Sequence, residues 1–305
     1  MTLVRLIDLL IDYVKRLWNK MSKQVAKQKI IHAFKKNVEG TSPSSQELNA
    51  NHDGAEGHWL ETKLGKKPDA SNEADFWGYE CKNDTTSKTT WGDWTGNYRI
   101  YHDKNFFTLT KNSDNQDEFV RIFGKKNPNK KNRSSWSGSP VPTRIGDKTS
   151  FGQRMEIDSE GNIVIFYSFS EDTRKNKSSL IPIIMQKDNL VLMKWYGTES
   201  SFESYKAITE NDNNIFFQSH TQASLEHKVV NKFGEYGWFK CLKDSQGNFD
   251  RIEFGDSLTY LEWLSHVKNG DIYFDTGMYE GNIRPYCQWR SNNKFWKSLV
   301  TSKYP

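Results

Sequence analysis

Cysteine is scarce in this chain. Only Cys81, Cys241 and Cys287 occur in 305 residues, with no CxxC pair and no spacing to histidine that suits a zinc site. The histidines show no HxxxH or HxH spacing either. Three scattered thiols exclude a disulfide-stapled scaffold and point to a reduced, cytoplasmic protein. A long apolar run is also missing. Leu3, Leu6, Ile7, Leu9, Leu10, Ile11 and Val14 recur at helical spacing, but Arg5, Asp8, Asp12, Lys15 and Arg16 interrupt every run. The spacing predicts an amphipathic packing helix rather than a bilayer span, and no small-residue cleavage site follows it. The excess of positive charge is small: 43 Lys and Arg against 38 Asp and Glu, a net +5. That permits a nucleic-acid partner without requiring one, because the distribution of charge matters more than its sum. Aromatics, by contrast, are abundant at 14%, with 11 Trp, although hydrophobic residues as a group reach only 35%. Rings must then carry much of the core, and some remain for stacking on a ligand.

The length suits one large domain or two lobes. A helical arm is expected over residues 3–36, with a break near 21–22, and a polar Ser- and Asn-rich linker over 40–53. Helix is expected over 58–64, and strands over 76–83 joined at Gly78. Further strands are expected over 98–101, 106–110, 190–195, 238–242, 251–254 and 271–274. Residues 153–157 and 163–169 read as a hairpin around Asp158-Ser159-Glu160-Gly161. Helices are expected over 216–233 and 258–267, and the tail is polar, basic and aromatic. The pattern is mixed α/β or α+β, with strands dominating.

The chemistry concentrates between residues 57 and 83, in Gly57-His58-Trp59-Leu60-Glu61 and then Asp75-Phe76-Trp77-Gly78-Tyr79-Glu80-Cys81-Lys82. Glu80 and Lys82 are two apart, so on a strand both side chains leave one face. Gly78 lets the chain reverse between Asp75 and Glu80. Two carboxylates and an ammonium in one pocket suit a hard divalent cation and a phosphodiester. Asp75 and Glu80 are the expected ligands of Mg²⁺, with Mn²⁺ as a substitute. Lys82 is the expected point charge beside the nucleophile or phosphate. Glu61, on the preceding helix, is placed to orient a water or take its proton, with His58 as a supporting neighbour. Taken alone, Glu-x-Lys is a common triplet on solvated strands.

Two further segments suit DNA. Residues 121–133 hold Arg121, Lys125, Lys126, Lys130, Lys131 and Arg133 with no acid among them, which suits sequence-blind phosphate contacts. Residues 282–293 mix Arg284, Gln288, Arg290 and Asn292 with aromatics, and these are side chains that read base edges. The bland readings are a solvated loop and a polar tail.

The order Gly54-Ala55-Glu56-Gly57-His58-Trp59-Leu60-Glu61, Leu64-Gly65, Asn72, Asp75, Gly78 and Glu80-Cys81-Lys82 resembles the signature of MutH-like endonucleases, closest to the MvaI/BcnI group of type II restriction enzymes. Lys268-Asn269-Gly270-Asp271-Ile272-Tyr273-Phe274-Asp275 resembles that group's Gly-Asp-Ile strand, which leads to its DNA-reading loop. The resemblance implies a PD-(D/E)XK nuclease fold, a central mixed sheet flanked by helices, with two lobes around a DNA cleft. It implies a helical arm over 1–40, a catalytic lobe over 41–180 and a DNA-recognition lobe over 181–305. By position its metal-binding acids fall on Asp75 and Glu80, its lysine on Lys82 and its helix glutamate on Glu61. Asp271 joins the DNA-reading set. A monomer is implied, cutting a short double-stranded site of the CCNGG kind, with a companion DNA methyltransferase protecting the host. Cys81 replaces the usual aliphatic residue between Glu and Lys, which a small buried hydrophobe satisfies. The group's His-Gly-Thr-Ala-Phe-Arg-like segment is absent, and residues 288–296 stand in its place. Two rivals remain: a strand-nicking repair enzyme like MutH, and a noncatalytic nucleic-acid or glycan binder that stacks ligands on rings such as Trp91 and Trp94.

Overall fold

A computed structural model describes residues 22–44, 47–48, 54–67, 71–109, 111–210, 212, 215 and 222–305. The chain divides into two units. One holds residues up to 89, 229–259 and 296–305; the other holds 90–228 and 260–295.

The first unit is built on a four-stranded sheet of β1 (Tyr79–Lys82), β2 (Gly237–Lys243), β3 (Phe249–Gly255) and β4 (Val300–Tyr304), in that order. β1 pairs with β2 in parallel, while the other pairs are antiparallel, so the sheet is mixed. Helix α1 spans 22–37, and α2 spans Ala55–Leu64. On and just beyond α1, Ala26, Ile30, Phe34 and Val38 recur every fourth residue and are all buried. That single stripe joins Trp59, Leu60 and Leu64 of α2 and Phe239, Cys241, Phe249, Ile252 and Phe254 of the sheet in one cluster. Burying each of the large aliphatic and Phe side chains among these contributes about 1.5–3 kcal/mol. Strand alternation then sorts β1. Tyr79 and Cys81 pack against the cluster, as expected of a cysteine in an aliphatic position, and Glu80 and Lys82 leave from the opposite face.

The second unit carries two sheets. One orders Lys88–Asp93, Tyr286–Asn292, Tyr273–Tyr279, Arg133–Trp136 and Lys125–Asn127, with the unit boundary falling inside its first strand. The other orders Tyr98–Arg99, Leu190–Trp195, Ile163–Asp172 and Phe151–Ile157, antiparallel throughout. Rings dominate this core, as the composition demanded. Trp289 lies 5.4–5.5 Å from Trp263, Trp195 and Phe274, and the Trp136 ring is 5.1 Å from Phe119.

Most of the expected elements are present, and the differences have local causes. Residues 1–21 and 216–221 lie outside the described residues, and so do the parts of two expected helices that fall on them. The later of these helices runs over Leu225–Phe233, labelled α3 here, because 222–224 are not helical. Residues 106–109 form no strand: the N–H groups of Phe106 and Phe107 both donate to Asp103 O at 3.0 Å, closing a turn. A helix over Asn112–Phe123 was not expected, because its apolar residues fall only in its second half. The strand expected over 271–274 begins later, at Tyr273, and runs to Tyr279. The tail is not a polar loop but strand Tyr286–Asn292, a short helix Asn293–Ser298 and β4.

Candidate active site

The first unit positions every residue of the acidic motif. Phe76 and Tyr79 exchange both backbone hydrogen bonds at 2.9 Å, closing a two-residue turn. Its two central residues, Trp77 and Gly78, have φ of +47° and +85°, the left-handed pair that a tight reversal requires. A Cβ on Gly78 would also sit 2.6 Å from Glu235 and Tyr236 side-chain atoms, so glycine is needed there twice over. The reversal lays Asp75 alongside β1, where the Cys81 N–H donates to Asp75 Oδ2 at 2.9 Å.

Glu80 and Lys82 leave the same face of β1, and Lys82 Nζ lies 2.8 Å from Glu80 Oε1. Both are almost fully buried, and the ammonium also sits 5.2 Å from the Phe233 ring centroid. Two lysines that the sequence did not single out complete the set. Lys66 follows the left-handed C-cap Gly65 of α2, and its Nζ lies 2.9 Å from Asp75 Oδ1. Lys232, from α3, places its Nζ 2.8 Å from Glu80 Oε1. No sequence signal marks Lys232, because 152 positions separate it from its partner. Lys66 was findable in principle, nine residues from Asp75 and one turn past Glu61.

The electrostatics bind these groups together. Burial raises the Asp75 carboxyl, but the Lys66 hydrogen bond, the Cys81 N–H and the Lys232 charge together outweigh it and hold the group below its ordinary range. Glu61 goes the other way. Burial first, then the negative charge of Asp75, lifts it to about 7, against relief from Lys66, and Glu80 adds to the rise. A carboxyl raised this far is poised to exchange a proton near neutral pH. Its charge is also costly to the fold. The unfolded chain ionises Glu61 at its ordinary pKa, so this group lowers stability as pH rises from about 4.5 to about 7. Glu61→Gln should therefore be more stable than wild type at pH 8 by about 1–2 kcal/mol once solvent screening is allowed for, and no more stable at pH 4. Paired thermal melts at the two pH values check this, and an equal shift at both would contradict it.

The donor set also bears on a divalent ion. Glu80 Oε1 accepts from two ammoniums, while Glu80 Oε2 is buried with no hydrogen-bond partner among the described residues. Among the described residues no three His, Cys, Asp or Glu side chains form a ready cage. Two carboxylates with a vacant buried lone pair still fit Mg²⁺, which takes one or two carboxylates and completes its shell from water and phosphate.

In the second unit, Lys125 and Lys126 lie on the outer strand of a hairpin that turns through 128–132, and Lys130 and Lys131 are exposed at its tip. Arg133 begins the return strand with its guanidinium 3.6 Å from the Tyr279 ring centroid. Gln288 and Arg290 alternate onto one face of strand Tyr286–Asn292. Arg290 Nε lies 3.0 Å from Asp275 Oδ2, and Gln288 accepts from the Thr90 hydroxyl at 3.3 Å. The sequence reading includes Asp275 in the Gly-Asp-Ile segment but gives it no role; it sits directly across from Gln288. Asn292 ends that strand, its Oδ1 accepting from the Phe295 N–H at 2.8 Å. Asp271 precedes strand Tyr273–Tyr279, its carboxylate 3.2 Å from His266 Nδ1, and Arg284 is exposed in the loop between the strands.

The family described as LlaMI restriction endonuclease matches residues 39–304. The type II restriction enzyme ScrFI of Lactococcus lactis subsp. cremoris is 43% identical over 279 residues, covering 90% of this chain and 97% of that one. Among solved structures, a complex of restriction endonuclease MvaI with its cognate DNA substrate aligns over 92% of this chain and 97% of its own. Its TM-score is 0.50 at 15% identity, a likeness of fold. Type II restriction endonucleases generally need a divalent metal, and among the described residues no helix is long and apolar enough to cross a membrane. The chain belongs to the LlaMI restriction endonuclease family and is a type II site-specific deoxyribonuclease.

Proposed function

We propose that the protein is a cytoplasmic, monomeric enzyme that hydrolyses both strands of a short duplex sequence of the CCNGG kind, using Mg²⁺ held by Asp75 and Glu80. The observation that carries this reading is Glu80 beside Lys82 on one face of β1, with Asp75 laid alongside that strand and Glu80 Oε2 buried with no hydrogen-bond partner among the described residues. An ion bound there supplies charge neutralisation at the phosphate and acidifies the attacking water. Lys82 holds positive charge next to Glu80 and stabilises the negative charge that builds on the phosphoryl oxygens. Glu61 takes the proton of the attacking water as the new phosphorus–oxygen bond forms and the bond to the leaving sugar oxygen breaks. Lys125, Lys126, Lys130, Lys131 and Arg133 neutralise backbone phosphates. Gln288 and Arg290, with Asp271, Arg284 and Asn292, meet base edges in a groove. A host that carries such an enzyme also carries a DNA methyltransferase that modifies the same site.

Family membership leaves the noncatalytic binder without support, and no observation on this chain favours a nickase dependent on a partner protein. The test is incubation with unmethylated plasmid and Mg²⁺, followed by sequencing of the fragment ends. Discrete double-strand breaks at one recurring CCNGG-like sequence are expected. Single-strand nicks alone, or breaks at an unrelated sequence, would contradict the proposal.

A further inference from the structure

Glu80 is surrounded unevenly. Both Lys82 and Lys232 approach the same oxygen, Oε1, at 2.8 Å, and Oε2 faces no donor among the described residues. The two ammoniums are not equivalent. Lys82 belongs to the same strand as Glu80, is almost fully buried, and is held against the Phe233 ring. Lys232 reaches in from α3 and keeps 17% of its side chain exposed, so it has a path to solvent on a long, rotatable stem. On the other carboxylate, Asp75 Oδ1 carries Lys66 in a similar way, also partly exposed at 20%. The acidic pair is therefore already neutralised by protein cations from two other segments.

From this we infer that Lys232 is a displaceable counter-ion of the metal site. It occupies Glu80 Oε1 while no ion is bound and leaves that oxygen when a divalent cation takes both carboxylates, whereas Lys82 stays. The inference rests on the reading of Asp75 and Glu80 as the ion's ligands. Its physical basis is competition. Two carboxylates this buried would repel each other and Glu61 if left bare, so a protein cation beside them stabilises the pair. Any arriving ion must replace that interaction, and its affinity is lowered accordingly. Lys232 acts through Glu80 and is a positioning residue.

Mn²⁺ binding to the full-length protein without DNA, followed by the spin resonance of the free ion at pH 8, separates the possibilities. Lys232→Met and Lys232→Gln, which remove the charge, should each bind Mn²⁺ about tenfold more tightly, the lower end of what one adjacent charge does to a carboxylate equilibrium. Lys232→Arg, which keeps the charge, should bind close to wild type. A merely structural lysine would give no tightening in either neutral variant. Unchanged or weaker Mn²⁺ binding in both, with melting temperatures like that of wild type, overturns the inference. Glu80→Gln distinguishes this failure from that of the underlying reading. If it binds Mn²⁺ as wild type does, the metal site itself is wrong. If it loses binding while the Lys232 variants stay unchanged, only the counter-ion role falls.

Discussion

Lys82→Ala should lower the single-turnover rate of cleavage by about a hundred- to a thousandfold, and raising Mg²⁺ should not restore it. The ammonium lies 2.8 Å from Glu80 in a buried setting, where a fixed charge is worth far more than in water. Nothing else on β1 replaces it, because its neighbours Cys81 and Asn83 carry no charge. Lys82→Arg should rescue little, since a planar fork does not fit a site shaped for a compact point charge. Asp75→Ala should be as damaging by a different route. It removes an ion ligand of the proposed centre, together with the Lys66 ion pair and the acceptor of the Cys81 N–H. Its rate should recover partly at high metal concentration, which Lys82→Ala cannot imitate. Rapid-quench rates over a Mg²⁺ titration distinguish the two, and identical metal dependence in both variants would contradict these roles.

Arg290→Ala should cost about 1–3 kcal/mol of binding to the target and should relax discrimination at one base pair. Arg290 is held for such a task. Asp275 Oδ2 lies at ion-pair distance, 3.0 Å, from its Nε, and the Tyr286 ring centroid lies 5.7 Å from the guanidinium. Preorganisation of this kind reduces the ordering cost of a bidentate contact. Asp275→Asn should reproduce part of the loss without removing the arginine. The hairpin lysines should behave otherwise. Lys130→Ala or Lys131→Ala should weaken target and random duplex alike, lowering the slope of log affinity against log salt by about 0.9 each. Fluorescence anisotropy in Ca²⁺ across a salt series reads both quantities. A purely electrostatic effect at Arg290, equal on every sequence, would contradict a reading role.

The grouping of the candidate site residues was legible in the sequence because it is local. Asp75, Gly78, Glu80 and Lys82 lie within eight residues, and strand alternation plus one left-handed turn suffice to bring them together. Glu61 was legible because α2 is short, apolar on one side and closed by Gly65. Lys232 was not legible, since its place beside Glu80 depends on parallel pairing of β1 with a strand more than 150 residues later. The same holds for Arg290 and Asp275: each is visible as a polar residue on a strand, but their pairing depends on the register of two antiparallel strands. The missed helix over Asn112–Phe123 failed for a different reason. Its first turns are polar throughout, so only burial of Phe119, Val120, Ile122 and Phe123 by the rest of the unit reveals it.

The proposed centre is open to direct observation by anomalous scattering from crystals of the protein soaked in Mn²⁺. A peak is expected within about 2.2 Å of a carboxylate oxygen from both Asp75 and Glu80, with the Lys82 ammonium beside it. A peak ligated by other residues, or none at Mn²⁺ concentrations that support cleavage, would contradict the assignment of Asp75, Glu80 and Lys82 as the metal-dependent catalytic centre.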